Sequence, residues 1–225
     1  MPLDTKKLPD TGGKKVEPID AGTYPAIVAG LIDLGVQPQR PFKGQSKSPQ
    51  HEIMITYELV TEFMKDEDGN ELEDKPRHIS ERFPFHKLTA EMAKSTKRYK
   101  ALDPHNKFEG DFSKLVGIPC SITVVQNYSQ KTDRYYSNVS AVTPPMKGFQ
   151  FPDLKNPPKV LDRDDPDMEV WEALPDFIKT IVTSGLDFSE TKLAKMLEDK
   201  PPEPPKEKSS PAKKKKEDDD DEPPF

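Results

Sequence analysis

The chain has 225 residues, 33% of them charged and 32% apolar, and 25 prolines argue against one compact domain over its whole length. Its formal net charge of −6 equals that of a single acidic run near the C-terminus, so the remainder is neutral overall and free to carry a basic face. One cysteine excludes an intramolecular disulfide and suits a reducing compartment, no apolar window reaches a membrane span, and polar residues 1–16 show no secretory signal.

Residues 1–17, rich in Lys, Pro and Gly, read as a flexible leader. Residues 23–36 predict the first strand, with Gly30 marking a bulge or sharp bend. Residues 36–50, rich in Gln, Pro, Lys and Ser, read as an exposed loop. Residues 52–63 predict a second strand, with Ile53, Ile55, Tyr57 and Leu59 on one face and Met54, Thr56 and Glu58 on the other. Asp68-Gly69-Asn70 is a hairpin signal. It leads to a third strand over 77–85, where Ile79, Glu81, Phe83 and Phe85 alternate.

Residues 87–102 lose that alternation and favour a helix starting near Thr89, with a further helical turn at 111–115. Residues 119–127 predict a strand, 128–134 a polar turn and 135–143 a last strand stopped by Pro144-Pro145. Three strands, a helix and two strands is the order of a five-stranded OB-fold barrel, spanning 18–148. A split αβ sheet uses the same elements and is the alternative.

Residues 149–199 form a second small apolar unit. Two short helices meet at Pro175, Asp167 caps the first, and 193–197 predicts a third. The unit is too small to fold alone and is expected to dock on the barrel or on another protein. Residues 200–225 read as a disordered linker and tail: prolines, the lysines 213–216, then Glu217, Asp218, Asp219, Asp220, Asp221, Glu222, two prolines and Phe225. Adjacent like charges repel and stay solvated. A tether carrying one aromatic anchor suits a docking peptide. A tethered polyanion can also compete for a cationic groove.

Proteins that hold single strands without sequence preference combine a cationic groove with aromatic stacking platforms. Lys87, Lys94, Lys97, Arg98 and Lys100 crowd one stretch around Tyr99, opposed only by Glu91. The 36–50 loop adds Arg40, Phe42, Lys43 and Lys47. The last turn adds Lys131 and Arg134, flanked by Tyr128, Tyr135 and Tyr136. Arg77 and Arg82 lie in the third strand, and Tyr57 completes the candidate set for single-stranded DNA. Tyr57, Phe83 and Phe85 read more readily as core. Flanking charge keeps Phe42, Tyr128 and one of Tyr135 and Tyr136 near water, since adjacent strand residues face opposite ways.

Other chemistry finds little support. His51, His78, His86 and His105 are scattered, and none stands at zinc spacing from Cys120. Gly12-Gly13 lacks the strand and helix of a phosphate loop, and there is no G-x-S-x-G. Cys120 reads as a small core residue, and acidic pairs such as Asp164-Asp165 as solvated loop. Neither an enzyme nor a metal or other cofactor is expected.

Four stretches carry a family likeness: Pro-Ile-Asp-Ala-Gly-Thr-Tyr-Pro-Ala at 18–26, His-Glu-Ile-Met-Ile-Thr-Tyr-Glu-Leu-Val at 51–60, Ala-Lys-Ser-Thr-Lys-Arg-Tyr-Lys-Ala-Leu-Asp-Pro at 93–104 and Pro-Asp-Met-Glu-Val-Trp at 166–171. The chain resembles single-stranded DNA-binding proteins of tailed bacteriophages from about residue 18 to 197, and the tail is similar in kind. The resemblance implies an OB-fold that coats single-stranded DNA during phage replication, recombination and repair in the cytoplasm of the infected host. It also implies that the tail recruits replication proteins such as a polymerase, helicase, primase or nuclease. Self-association varies among such proteins. The alternatives are a strand-annealing recombination protein and a protein-binding adaptor on the same barrel.

Overall fold

Runs of β-branched and aromatic residues build the strands within residues 17–199, the part described by the computed structural model. They form β1 (Gly22–Phe42), β2 (Gln45–Lys65), β3 (Glu71–Pro84), β4 (Pro119–Ser129), β5 (Arg134–Thr143) and the short β6 (Lys159–Leu161). The helices are α1 (Lys94–Leu102), α2 (Met168–Glu172), α3 (Asp176–Thr183) and α4 (Lys192–Glu198). The sheet order is β3-β2-β1-β4-β5, with antiparallel neighbours, and β6 adds to β1 in parallel. The protein is mainly β, a curled five-strand half-barrel compatible with an OB-like fold.

β1 makes the curl. Its first residues, Gly22 to Ile27, pair with β4, while Ala26 to Phe42 pair with β2. Register shifts between Val28 and Gly30 and between Asp33 and Gly35 bend it. Gly30 sits at the first shift, where a Cβ would lie 2.9 Å from the Lys159 carbonyl of β6. The concave face holds Ile53, Ile55, Tyr57 and Leu59 of β2 with Ile79, Phe83, Cys120, Ile122 and Val124, and Tyr99, Leu102, Phe112 and Leu115 cover it.

Two expectations about the elements are corrected, and one strand is added. Residues 36–50 are not a loop but the distal part of the β1–β2 hairpin, paired from Gln37↔Gln50 through Gln39↔Lys47 to Phe42↔Gln45 with a register shift on each side of Gln39. Lys43 and Gly44 turn it with φ of 50° and 78°, the paired positive angles of a tight hairpin turn. α1 begins at Lys94 rather than near Thr89. The Ser95 hydroxyl accepts from the His86 N–H and Thr96 donates to the Lys87 carbonyl, holding the preceding residues in turns. β6 was not expected at all.

The 149–199 unit docks on the convex face. Ile32, Leu34 and Met54 of the sheet pack there with Leu161, Trp171, Leu174, Ile178, Val182 and Leu193. Asp167 caps α2 as expected, accepting from the N–H groups of Glu169 and Val170. A polar anchor locks the seam. Buried Arg163 donates through Nη1 and Nη2 to both Asp187 oxygens at 2.9 and 2.8 Å, and its Nε lies 3.2 Å from Asp33. Asp33 also meets His51 Nε2 at 2.6 Å. Gly35, at φ 76°, gives the guanidinium its space, since a Cβ there would lie 2.3 Å from Arg163 Nη1.

This anchor sets a pH window. The hydrogen bond to Asp33 raises His51 above the ordinary 6.5, against burial. Burial opposes the Asp33 charge, but His51 and Arg163 outweigh it and lower its pKa. Hydrogen bonding from Arg163 lowers Asp187 from 3.8 to about 2. The raised histidine stabilises fully below 6.5 and loses its contribution as pH rises through its folded value. The depressed carboxylates stabilise above 3.8 and lose theirs as pH falls toward about 2. The stability this network adds to the fold is therefore greatest between about pH 4 and 6.5. The urea midpoint followed by emission of Trp171, the one tryptophan and buried in this seam, should shift down on both sides of that window. A shift confined to the alkaline side would remove the carboxylates from the account.

Candidate nucleic-acid interface

Two hairpins carry exposed aromatics beside cations. At the β1–β2 tip, Phe42 is 59% exposed, with Lys47 Nζ 4.9 Å and Lys43 Nζ 5.5 Å from its ring centroid. Arg40 is exposed on the same hairpin. On the β4–β5 hairpin, Tyr128 and Tyr135 are cross-strand partners, 50% and 57% exposed, with centroids 5.2 Å apart and planes at 53°. The Tyr128 hydroxyl donates to Asp133. Tyr136 pairs with Asn127 on the opposite face, and its hydroxyl donates to Thr132 Oγ1 at 3.0 Å. Only Tyr135 of the adjacent tyrosines joins Tyr128, as strand geometry requires. Lys131 and Arg134 are exposed beside this platform.

The hairpins leave β1 at opposite ends. β4 runs from Pro119 opposite Ile27 past Gly22 to its tip, while β1 and β2 extend together the other way. No ring or hydrogen-bond contact among the described residues joins Phe42 to the tyrosine pair. A strand engaging both spans the barrel.

Several predicted contacts are elsewhere. Tyr57 is fully buried, and its hydroxyl donates to Glu81 Oε1 at 2.8 Å. Tyr99 is buried too, donating to Asp103 Oδ2 at 2.9 Å and accepting from the Gly110 N–H at 2.8 Å. Neither ring presents a face to a base. Arg98 is buried, with Nε 2.7 Å and Nη2 3.1 Å from the Glu81 oxygens. Its Nη2 also reaches the carbonyls of Val139 and Ser140 at 3.5 and 3.3 Å. Arg98 thus ties β3 to β5, which share no strand ladder, and its charge is spent inside the fold.

Other cations are partly committed. Lys94 pairs with the same Glu81 at 2.7 Å and lies over the Phe83 ring. Arg82 pairs with buried Glu52, and half-buried Arg77 donates to the Glu17 carbonyl. Lys100 meets Glu91 at 3.4 Å, an exposed contact of little strength. Among the described residues, no ion pair engages Lys97, Arg40, Lys43, Lys47, Lys131 or Arg134. The predicted tail residues, Glu217 to Glu222 with Phe225, lie outside the described residues.

Phe85, expected in the core, is instead at the rim of the half-barrel, 38% exposed, because β3 ends one residue before it. Cys120 is buried, and burial first and Glu81 second push its thiol up to about 12, so it stays protonated. No helix among the described residues is long and apolar enough to cross a membrane. No family model, no curated protein and no solved structure matches the chain.

Proposed function

We propose that the protein binds single-stranded DNA without sequence preference. The carrying observation is the exposed Tyr128–Tyr135 platform flanked by Lys131 and Arg134, which no ion pair engages among the described residues, matched at the other hairpin by Phe42 under Lys43 and Lys47. Rings held in water beside cations suit stacked bases and neutralised phosphates at about 1–3 kcal/mol per base. An OB-fold barrel, with its hairpin loops as binding arms, gives the half-barrel a purpose. In this reading the protein coats exposed strands during phage replication, recombination and repair. Its tail, from Glu217 to Phe225, brings replication enzymes to the coated strand.

Anisotropy of a labelled oligo-dT, against a duplex of equal length and at two salt concentrations, tests this. Tryptophan quenching is a poor readout because Trp171 is buried in the extension seam. The single strand should bind more tightly than the duplex. The cations Arg40, Lys43, Lys47, Lys87, Lys97, Lys131 and Arg134, which no ion pair engages among the described residues, with Lys100, bound the slope of log affinity on log salt at about −6. Absence of salt-sensitive single-strand binding would leave the protein-binding adaptor as the better reading.

A further inference from the structure

The half-barrel is open where β3 ends, and Phe85 stands at that rim. Its ring is fixed. It meets Phe112 edge-on, with centroids 5.0 Å apart and planes at 89°, and lies 5.8 Å from His51. Its N–H donates to the His51 carbonyl at 2.7 Å. Beside it opens a cavity of about 490 Å³ with Phe112 and Leu88 among its walls and His51, His86, Lys87 and Glu109 as its polar lining. That volume is in the range of small-ligand sites.

The far wall is rigid. The Asp103 carboxylate accepts from the N–H groups of Lys107 and Phe108, both at 2.9 Å, and Gly110 is tied to the Tyr99 hydroxyl. Asn106 and Glu109 hold φ of 51° and 52°, angles that non-glycine residues seldom adopt. Such backbone concentrates at ligand sites. A fixed aromatic, an apolar wall and nitrogen donors at the rim match the parts of a nucleotide.

We propose that this cavity seats one unpaired nucleotide of the bound strand, its base against Phe85 and its phosphate beside Lys87. The inference rests on the single-strand reading above. Lys87 is exposed and has no ion pair among the described residues. Glu109, the one carboxylate in the lining, repels a phosphate on its own side and so favours the His86–Lys87 side. His51 is backed by Asp33 and, behind it, Arg163. Along β2 it lies about 20 Å from the Gln45 end of the hairpin turn. The cavity therefore lies along the sheet between the two aromatic hairpins and gives a spanning strand an intermediate hold.

Oligo-dT titrations of the full chain and of Phe85→Leu and Lys87→Gln test this. Leucine keeps an apolar contact with Phe112 but removes the ring, so the fold survives, which a thermal melt checks. Phe85→Leu should weaken oligo-dT binding about tenfold. On an abasic strand of equal length, where no base can stack, the gap from the unaltered protein should close. Lys87→Gln should lower the salt slope by about 0.7. Unchanged affinity and slope in both variants, while the unaltered protein binds, overturns the cavity assignment alone. A gap that persists on the abasic strand also overturns it. If the unaltered protein does not bind oligo-dT, the single-strand reading falls first and takes this inference with it.

Discussion

Replacing Arg98 with methionine should cost about 3 kcal/mol of stability and leave oligo-dT affinity unchanged wherever the variant remains folded. The first half follows from what Arg98 leaves behind. Glu81 is buried on the core face of β3, and Arg98 makes two of its hydrogen bonds. Breaking a buried pair by removing one member typically costs 3–5 kcal/mol, because the other charge remains desolvated. Lys94 and the Tyr57 hydroxyl still reach Glu81, so the low end applies. The loss also unties the carbonyls of Val139 and Ser140, and with them a polar link from α1 to both edges of the half-barrel. Urea unfolding followed by circular dichroism measures the shift. Arg98→Met combined with Glu81→Gln should recover part of the loss, since both charges go while the Tyr57 hydroxyl keeps an acceptor. A single variant within about 0.5 kcal/mol of the parent would mean that the pair is not buried in solution. A folded variant that lost DNA affinity would return Arg98 to the interface.

That residue also shows what could be read from the chain. A cluster of cations beside tyrosine suggested an interface at Arg98 and Tyr99. The contrary signal was Glu81, which alternates with Ile79 and Phe83 on the core face. A carboxylate at such a position needs a buried cation, and nearby Arg98 supplies it. The alternating strands were legible because period-two patterning matches a face buried on one side. Residues 36–50 were not, since both faces of that hairpin are polar and only Lys43-Gly44 marked the turn. The near-continuous apolar run of β1 carried a further clue. Ile32 and Leu34 face away from the barrel core, and a strand apolar on both faces needs cover on both. The docked helices are that cover. Phe42, Tyr128 and Tyr135 were legible because flanking charge leaves a ring no core to enter.

The double variant Tyr128→Ala/Tyr135→Ala should weaken oligo-dT binding by about 1–3 kcal/mol, or roughly 5- to 150-fold, with stability unchanged within about 0.5 kcal/mol. The rings touch at 5.2 Å and are tilted, which leaves no slot for a base between them. They act as one platform with a base on its outer surface, so the loss is that of one stack rather than two. Each ring also supports its neighbour. A single alanine should therefore cost more than half of the double variant, a non-additivity expected of residues in contact. Tyr136→Ala is the internal control. It removes an equally large exposed ring from the same hairpin, but from the opposite face. Tyr128→Phe/Tyr135→Phe should bind nearly as the parent does, because the hydroxyl of Tyr128 is turned to Asp133 and the face does the stacking. Equal losses in Tyr136→Ala and in the tyrosine pair would mean that the hairpin contributes bulk or charge rather than an oriented platform. Binding through Lys131 and Arg134 alone would then describe this arm, and its affinity should vanish at high salt without regard to the bases.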